Sequence, residues 1–213
     1  MDSSLVRGTD GRRRCWWGAS SPEYAAYHDE EWGRPVRGDD ALFERLSLEG
    51  FQSGLSWITI LRKRENFRAA FAGFQIHEVA RFTERDVNRL LGDTGIVRNR
   101  MKIEATIANA RAAAALDVPL SELVWSYAEP RRPAPRTRDD LPAVTPASTA
   151  LSKELKRRGF RFVGPTTVYA AMQACGLVND HISGCHVRGE VGREIRSAAG
   201  GDARRRSGRV PGR

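Results

Sequence analysis

The spacing of hydrophobic residues predicts a chain built almost entirely from helices. Residues 41–50 and residues 56–71 both place apolar side chains at the three- and four-residue intervals of one helix face. Residues 100–116 are rich in alanine and are strong helix formers. Thr83 followed by Asp86 is typical of a capped helix start. No segment alternates hydrophobic and polar residues over the length of a strand, so we predict an all-α fold.

Glycine and proline mark a further pair of helices over about residues 150–175. Ser148 or Thr149 is expected to cap the first helix, and Gly159 is expected to end it. After a short connector, Pro165 occupies the first position of a second helix, where proline is favoured. The pattern therefore predicts two helices joined by a tight hairpin.

The start of the second helix, at Gly164, Pro165 and Thr166, is a candidate phosphate-binding element, because the N-terminus of a helix attracts phosphate. The alternative is an ordinary pair of antiparallel helices with no ligand. Basic residues around the hairpin fit either a phosphate contact or a solvated helix end; they are Lys156, Arg157, Arg158 and Arg161.

The two ends of the chain are polar and rich in arginine. Residues 1–13 and 189–213 are therefore predicted to be disordered basic tails on a single domain over residues 14–188. Residues 129–146 contain five of the ten prolines and are predicted to form an extended loop.

Composition narrows the possible classes of protein. The chain has 213 residues, is 40% hydrophobic and carries a net charge of +9, which suits a globular domain with a polyanionic partner. Most of the charge lies in the tails, however, so a solvated tail explains it equally well. No apolar run approaches the roughly 18 residues of a membrane span. Three cysteines make no disulfide framework, so we expect a reducing, cytoplasmic location and no membrane partner.

Two pairs of residues at opposite ends of the chain are candidate metal ligands. Cys15 and His28 lie near the start, whereas His181 and Cys185 lie near the end, four residues apart, and would share one face of a helix. Two thiolates and two imidazoles are a sufficient tetrahedral set for a structural zinc ion that would join the N- and C-terminal segments. Scattered cysteines and histidines without a metal are the alternative, and His186 is a possible substitute ligand.

Four segments, taken in order, resemble the 3-methyladenine DNA glycosylase I family. They are Arg14-Cys15-Trp16-Trp17, Tyr24-Ala-Ala-Tyr27-His28-Asp-Glu-Glu-Trp32-Gly33, Leu48-Glu49-Gly50-Phe51-Gln52-Ser53-Gly54-Leu55-Ser56-Trp57 and Met172-Gln-Ala-Cys-Gly-Leu-Val-Asn179-Asp180-His181. The likeness extends from about residue 14 to residue 186 and implies a monomeric helix–hairpin–helix DNA repair fold with a structural zinc. It also implies hydrolysis of the N-glycosidic bond of 3-methyladenine in alkylated double-stranded DNA, with free 3-methyladenine as the product.

The resemblance also assigns roles to individual residues. The zinc ligands fall on the four residues already selected by spacing. The base pocket falls on an acidic and aromatic set, Trp17, Tyr24, Tyr27, Glu49 and Trp57, and the turn that probes the DNA groove falls on Gly54 and Leu55.

These residue types suit the chemistry of base excision. An enzyme that acts on a base must flip it out of the duplex, and an apolar residue such as Leu55 can fill the gap. Aromatic rings attract the cationic methylated base, and the carboxylate of Glu49 is predicted to recognise it and to help polarise the water. Core packing for the aromatic residues and for Leu55, and a surface position for Glu49, are the alternatives.

No lysine is evidently placed as a Schiff-base nucleophile, so we predict a monofunctional glycosylase. Two other functions remain open at this point: a zinc-stabilised module that recognises damage without excising it, and a glycosylase with a different alkylated-base preference.

Overall fold

The computed structural model describes residues 4–207, with side chains described through residue 198. Within this range the chain forms a two-stranded antiparallel sheet and ten α-helices. The strands are β1 (Leu5–Arg7) and β2 (Arg13–Cys15). The helices are α1 (Pro22–Glu30), α2 (Asp39–Gln52), α3 (Trp57–Ala70), α4 (Ile76–Ala80), α5 (Glu84–Gly92), α6 (Arg100–Ala114), α7 (Leu120–Trp125), α8 (Pro146–Arg157), α9 (Pro165–Ala174) and α10 (Arg188–Ser207). An all-α fold was predicted; the structure is mostly helical, as expected, but the short two-stranded sheet was not predicted.

The chain divides into two compact units, each assembled from separate stretches of sequence. The first comprises Met1–Pro35, Ala128–Ala143 and Met172–Arg213, and the second comprises Val36–Tyr127 and Val144–Ala171. A single domain over residues 14–188 was predicted from length and composition, which do not reveal such a division.

Aromatic packing forms the centre of the second unit. Phe51 at the end of α2 meets Phe67 of α3 with 4.7 Å between ring centroids, and Phe71 stacks on Phe74 at 5.4 Å. All four rings are fully buried. The apolar faces that the hydrophobic period predicted for residues 41–50 and 56–71 therefore do face the core.

The predicted capping residue was correct for α5, whereas the cap of α8 lies a few residues earlier than predicted. Thr83 and Asp86 form the predicted reciprocal capping box. The cap of α8 is Thr145 rather than Ser148 or Thr149, because Pro146 takes the first helical position and Ser148 is the partner that bonds back to the Thr145 amide at 2.9 Å.

The predicted ends of the helical hairpin agree with the structure. Gly159, just past α8, has a φ of +92°, and α9 begins at Pro165.

The prediction of disordered ends was wrong within the described residues. Residues 5–7 pair with residues 13–15, starting from Leu5 opposite Cys15. At the other end α10 begins at Arg188, and its Val191 and Ile195 are buried. Both segments look polar in composition, but Val191 and Ile195 lie four residues apart and so share one buried face of α10. The outermost residues of the predicted tails, 1–3 and 208–213, lie outside the described residues.

Across residues 4–207, none of the helices combines the length and the apolar character that crossing a membrane requires.

Candidate metal centre and base-recognition residues

Four buried side chains of the first unit converge as the sequence predicted. The ligand atoms of Cys15, His28, His181 and Cys185 all lie within 4.8 Å of one another. The sulfur of Cys185 is 3.5 Å from Nε2 of His28 and 3.7 Å from Nδ1 of His181, and the sulfur of Cys15 is also 3.7 Å from that Nδ1. Zinc–sulfur bonds of about 2.3 Å and zinc–nitrogen bonds of about 2.0 Å at tetrahedral angles separate sulfur from nitrogen by about 3.5 Å. The donor set therefore fits a tetrahedral zinc ion.

The outward-facing ring nitrogens of both histidines are also held. Nδ1 of His28 lies 2.8 Å from a carboxylate oxygen of Asp29, and Nε2 of His181 lies 3.1 Å from the carbonyl oxygen of Trp32. Such acceptors fix the tautomer and ring orientation of a metal-binding imidazole. In each ring the nitrogen that faces the sulfur atoms is thereby the unprotonated one, and that of His28 also accepts a hydrogen bond from the amide of Cys15 at 3.4 Å.

His181 and Cys185 meet through a turn and not through the helical face that their spacing suggested. They lie between α9 and α10, where the amide of Cys185 bonds to the carbonyl of Ile182 at 2.9 Å and Gly184 has a φ of +87°. The amide of Ile182 donates to the sulfur of Cys15 at 3.3 Å. A four-residue spacing satisfies both geometries, so spacing alone did not distinguish them.

The environment of the cluster perturbs the ionisation of its two thiols and of His181 in different directions. A hydrogen bond from the Cys15 thiol holds the pKa of Cys185 well below its ordinary value, while the same contact raises the pKa of Cys15. Burial lowers the pKa of His181, which keeps that imidazole neutral. The first proton of the thiol pair is therefore lost readily, and the histidine lone pair is available.

Three predicted base-binding residues lie beside this cluster in the first unit. The ring of Trp17 meets Tyr24 edge-on at 5.8 Å and Tyr27 at 6.2 Å. It also contacts the rings of His28 at 5.1 Å and Trp32 at 5.0 Å. Tyr27 is buried, whereas Trp17 and Tyr24 are half-buried. The structure therefore brings Trp17, Tyr24 and Tyr27 together.

Glu49 and Trp57, the other predicted base-binding residues, belong to the second unit. Glu49 lies near the end of α2 and is 7% exposed. Burial raises the pKa of its carboxyl group to about 8, against the opposing effect of the nearby Arg45 charge. Burial therefore favours the protonated form of this carboxyl group near neutral pH. Trp57 is the half-buried first residue of α3.

The predicted groove-probing turn connects α2 to α3. Gly54 has a φ of +81°, a backbone conformation that glycine adopts without strain. Leu55, the next residue, is 43% exposed. An apolar side chain held outward at a helix–helix turn is not a core residue, so the structure excludes that alternative for Leu55.

Comparison with known proteins identifies the family. The sequence profile described as Methyladenine glycosylase matches residues 16–188. The chain belongs to the methyladenine glycosylase family. The resemblance found in the four sequence segments is thereby confirmed.

Relatives within this family support the assignment over most of the chain. DNA-3-methyladenine glycosylase 1 of Escherichia coli strain K12 is 51% identical over 177 residues, which cover 81% of this chain and 95% of that protein. A crystal structure of 3-methyladenine DNA glycosylase I has a TM-score of 0.79 at 52% identity and covers 81% of this chain and 98% of its own. A Tyr-to-Phe variant of 3-methyladenine DNA glycosylase I in complex with 3-methyladenine has a TM-score of 0.78 at 36% identity, covering 82% and 97%.

Two supporting residues of this methyladenine glycosylase family member were not predicted from the sequence. Burial acts to raise the pKa of Asp29, but hydrogen bonds from Arg14, His28 and His186 outweigh it and bring that pKa to about 2. Arg14 donates to Asp29 at 2.7 Å and to Asp10, also at 2.7 Å. His186, considered as a substitute ligand, instead lies 2.9 Å from Asp29. The sequence did contain a signal for these two residues: Arg14 and Asp29 are each directly adjacent to a predicted metal ligand, Cys15 and His28 respectively.

The predicted phosphate-binding residues Gly164, Pro165 and Thr166 do form the start of a helix, α9. Among the basic residues near them, Arg157 and Arg158 are paired with Glu154 at 2.6 Å, and Arg158 also pairs with Asp117. Lys156 and Arg161 are exposed. The ion pairs favour the solvated helix-end interpretation for Arg157 and Arg158.

Proposed function

We propose that this protein is a DNA glycosylase that hydrolyses the N-glycosidic bond of 3-methyladenine in alkylated double-stranded DNA. Release of the free base would begin base excision repair. The observation that carries the proposal is the burial of the Glu49 carboxyl group, 7% exposed, in a chain that matches the Methyladenine glycosylase profile over residues 16–188. Burial also raises the pKa of this carboxyl group to about 8, and a perturbed ionisable group of this kind is a candidate functional group.

The raised pKa of Glu49 would make its ionisation depend on a nearby positive charge, and so would favour a cationic base. Burial disfavours the charged carboxylate in the free protein, and a neighbouring positive charge would favour it. 3-Methyladenine in DNA is cationic, whereas undamaged adenine is neutral. Glu49 would therefore ionise when the damaged base arrives, and would then accept a hydrogen bond from its exocyclic amine. The same carboxylate can help to orient or polarise the attacking water.

The aromatic residues supply the remaining recognition. Trp17, Tyr24 and Tyr27 offer clustered ring faces and edges, and Trp57 offers a further half-buried indole. Stacking with a desolvated cation contributes on the order of 2 kcal/mol. The exposed side chain of Leu55 would fill the space that the flipped nucleotide leaves in the duplex.

The reaction itself asks for little further chemistry. Methylation makes the base a good leaving group, so orientation and electrostatic support of the developing sugar cation suffice. Two of the four lysines are committed elsewhere: Lys102 donates to the carbonyls of Phe51 and Ser53, and Lys63 donates to those of Thr94 and Gly95. Their engagement supports a monofunctional enzyme without a Schiff-base intermediate.

Zinc is proposed as the structural cofactor. Cys15, His28, His181 and Cys185 would hold it, and four protein ligands leave no open coordination position for a reacting water. The bound metal would stabilise the fold of the first unit, because metal-binding energy becomes folding energy.

The connection between α8 and α9 is proposed as a helix–hairpin–helix DNA contact. The backbone at Gly164, Pro165 and Thr166 would face a phosphate. These residues lie at the start of a ten-residue helix, and the N-terminus of a helix attracts anions.

Base release from methylated DNA tests the function directly. The protein is incubated with methylated duplex DNA, and the released bases are separated by chromatography. Free 3-methyladenine is expected. Release of a different methylated base would indicate another specificity, and binding without release would indicate a damage-recognition module.

A variant of the carboxyl group tests its role. Glu49→Gln should bind the duplex and lose most single-turnover excision; unchanged excision would contradict its role. Strand cleavage without added base would contradict a monofunctional enzyme.

A further inference from the structure

Phe162 exposes an aromatic ring at the tip of the connection between α8 and α9. It is 39% exposed, and its φ of +54° lies in the left-handed region. That conformation is unfavourable for a residue with a Cβ atom, and especially for a bulky one. Strained backbone of this kind persists where the surrounding structure enforces it, and it concentrates at functional positions.

The surrounding structure does enforce it. The side-chain amide of Asn109 on α6 accepts from the amide of Arg161 at 2.6 Å and donates to the carbonyl of Arg161 at 3.0 Å. On the other side of Phe162, the hydroxyl of Ser152 donates to the carbonyl of Val163 at 2.6 Å. Phe160 and Val163 are buried. The exposed ring is therefore held outward by a turn fixed at both of its flanks.

The tip of this turn packs against the end of α2. A Cβ atom built on Gly50 would lie 3.6 Å from Cβ of Phe162 and 3.8 Å from its carbonyl oxygen, an ordinary contact distance. Five residues after Gly50 comes Leu55, the exposed side chain of the α2–α3 turn. Among the described residues, only Met101 and Val144 join Phe162 and Leu55 as exposed large hydrophobic side chains. Two exposed apolar residues of the second unit thus belong to connections that adjoin the end of α2.

We propose that Phe162 is a second DNA-contacting wedge, placed beside the Leu55 step, and this inference rests on the proposed glycosylase function. Its ring would enter the minor groove and pack against base edges and sugars, because apolar side chains inserted at a base step help to kink and open a duplex. An aromatic face also stacks on an exposed base regardless of sequence. Arg161, exposed and directly adjacent, adds a guanidinium for the flanking phosphate.

The test compares duplex affinity, free-base affinity and stability in one set of variants. Phe162→Gly and Phe162→Asn remove the ring and tolerate a left-handed backbone. Val144→Ala, which shortens an exposed apolar residue elsewhere in the same unit, is the matched control. Affinity is measured by fluorescence anisotropy with a labelled duplex carrying a tetrahydrofuran abasic analogue. Binding of free 3-methyladenine is followed by intrinsic tryptophan fluorescence, and stability by thermal melting.

Both Phe162 variants are expected to bind the abasic duplex about tenfold more weakly than the unaltered protein, while the melting temperature is unchanged or higher and free-base affinity is unchanged. Val144→Ala should match the unaltered protein throughout. Duplex affinity within twofold of the unaltered protein would overturn the proposal, as would weakening that occurs only together with a lower melting temperature. Failure of the unaltered protein to release any base would refute the proposed function, and the duplex comparison would still decide whether Phe162 is a wedge.

Discussion

The ammonium nitrogen of Lys102 lies 2.6 Å from the carbonyl oxygen of Ser53. It also donates to the carbonyl oxygen of Phe51 at 2.7 Å. The last carbonyl groups of a helix have no partner within it, and a cation there is doubly favourable because it satisfies them and complements the helix dipole. Lys102 of α6 therefore ties the end of α2 to the turn that carries Leu55.

Replacing Lys102 with methionine should loosen that turn. The side chain keeps its apolar stem, but the two carbonyl groups lose their charged donor, at a cost of about 1–3 kcal/mol in unfolding free energy. We expect weaker binding of an abasic duplex, by more than the stability loss would produce, and unchanged affinity for free 3-methyladenine. Denaturant melts, duplex anisotropy and base-binding fluorescence measure the three effects.

Lys63→Met is the matched control for this variant. Lys63 also donates to two carbonyl groups, but these belong to Thr94 and Gly95, which follow α5 and are not part of the α2–α3 turn. Equal losses of duplex affinity in the two variants would show that Lys102 has no specific role in positioning Leu55.

The buried carboxyl group of Glu49 should make stability depend on pH. Its pKa rises from 4.5 to about 8 on folding, so the folded protein binds the extra proton between these values. The resulting stabilisation is complete below pH 4.5 and is lost as the pH rises through about 8, a change on the order of 5 kcal/mol for a shift of this size. Glu49→Gln should lack this component and should become more stable than the unaltered protein above pH 8. Unfolding free energies measured from pH 5 to pH 9 check this, and parallel curves for the two proteins would contradict it.

Removal of metal should destabilise the first unit. Chelation, or the substitution Cys15→Ser, should abolish stoichiometric zinc binding and lower the melting temperature, with hydrogen exchange accelerating around His28 and His181. Cys175→Ala is the control, because Cys175 is also buried but lies outside the cluster. Metal content is measured by atomic emission. A fully folded protein of unchanged melting temperature after chelation would show that the four residues pack without a metal.

The helix α10 should contribute to stability even though its sequence resembles a disordered tail. Ile195 is fully buried and packs with Val191, Val187 and Ile182. Ile195→Ala should therefore cost about 2–4 kcal/mol. Arg196→Ala, on the exposed face of the same helix, should cost little. Thermal melts of the two variants give the comparison, and equal melting temperatures would show that this helix is not part of the folded core.

Local patterns accounted for much of the secondary structure. The hydrophobic period placed α2 and α3, and helix propensity placed α6, within a few residues of their observed ends. Residue chemistry identified the capping box at Thr83 and the proline at the start of α9. Such patterns work because helix hydrogen bonds and caps join residues only a few positions apart. They failed at the two ends of the chain, where β2 and α10 are stabilised by burial against distant segments.

The sequence by itself determined the family, the mostly helical fold and the identity of the four candidate metal ligands, because each of these depends on residue types at fixed spacing. Only the tertiary structure decided that His181 and Cys185 meet through a turn, that Asp29 holds His28, and that burial raises the pKa of Glu49. The exposure of Phe162 and its strained backbone conformation were likewise visible only in three dimensions. Burial, electrostatic environment and backbone conformation depend on side chains that are distant in sequence, and no local pattern records which of them will be neighbours.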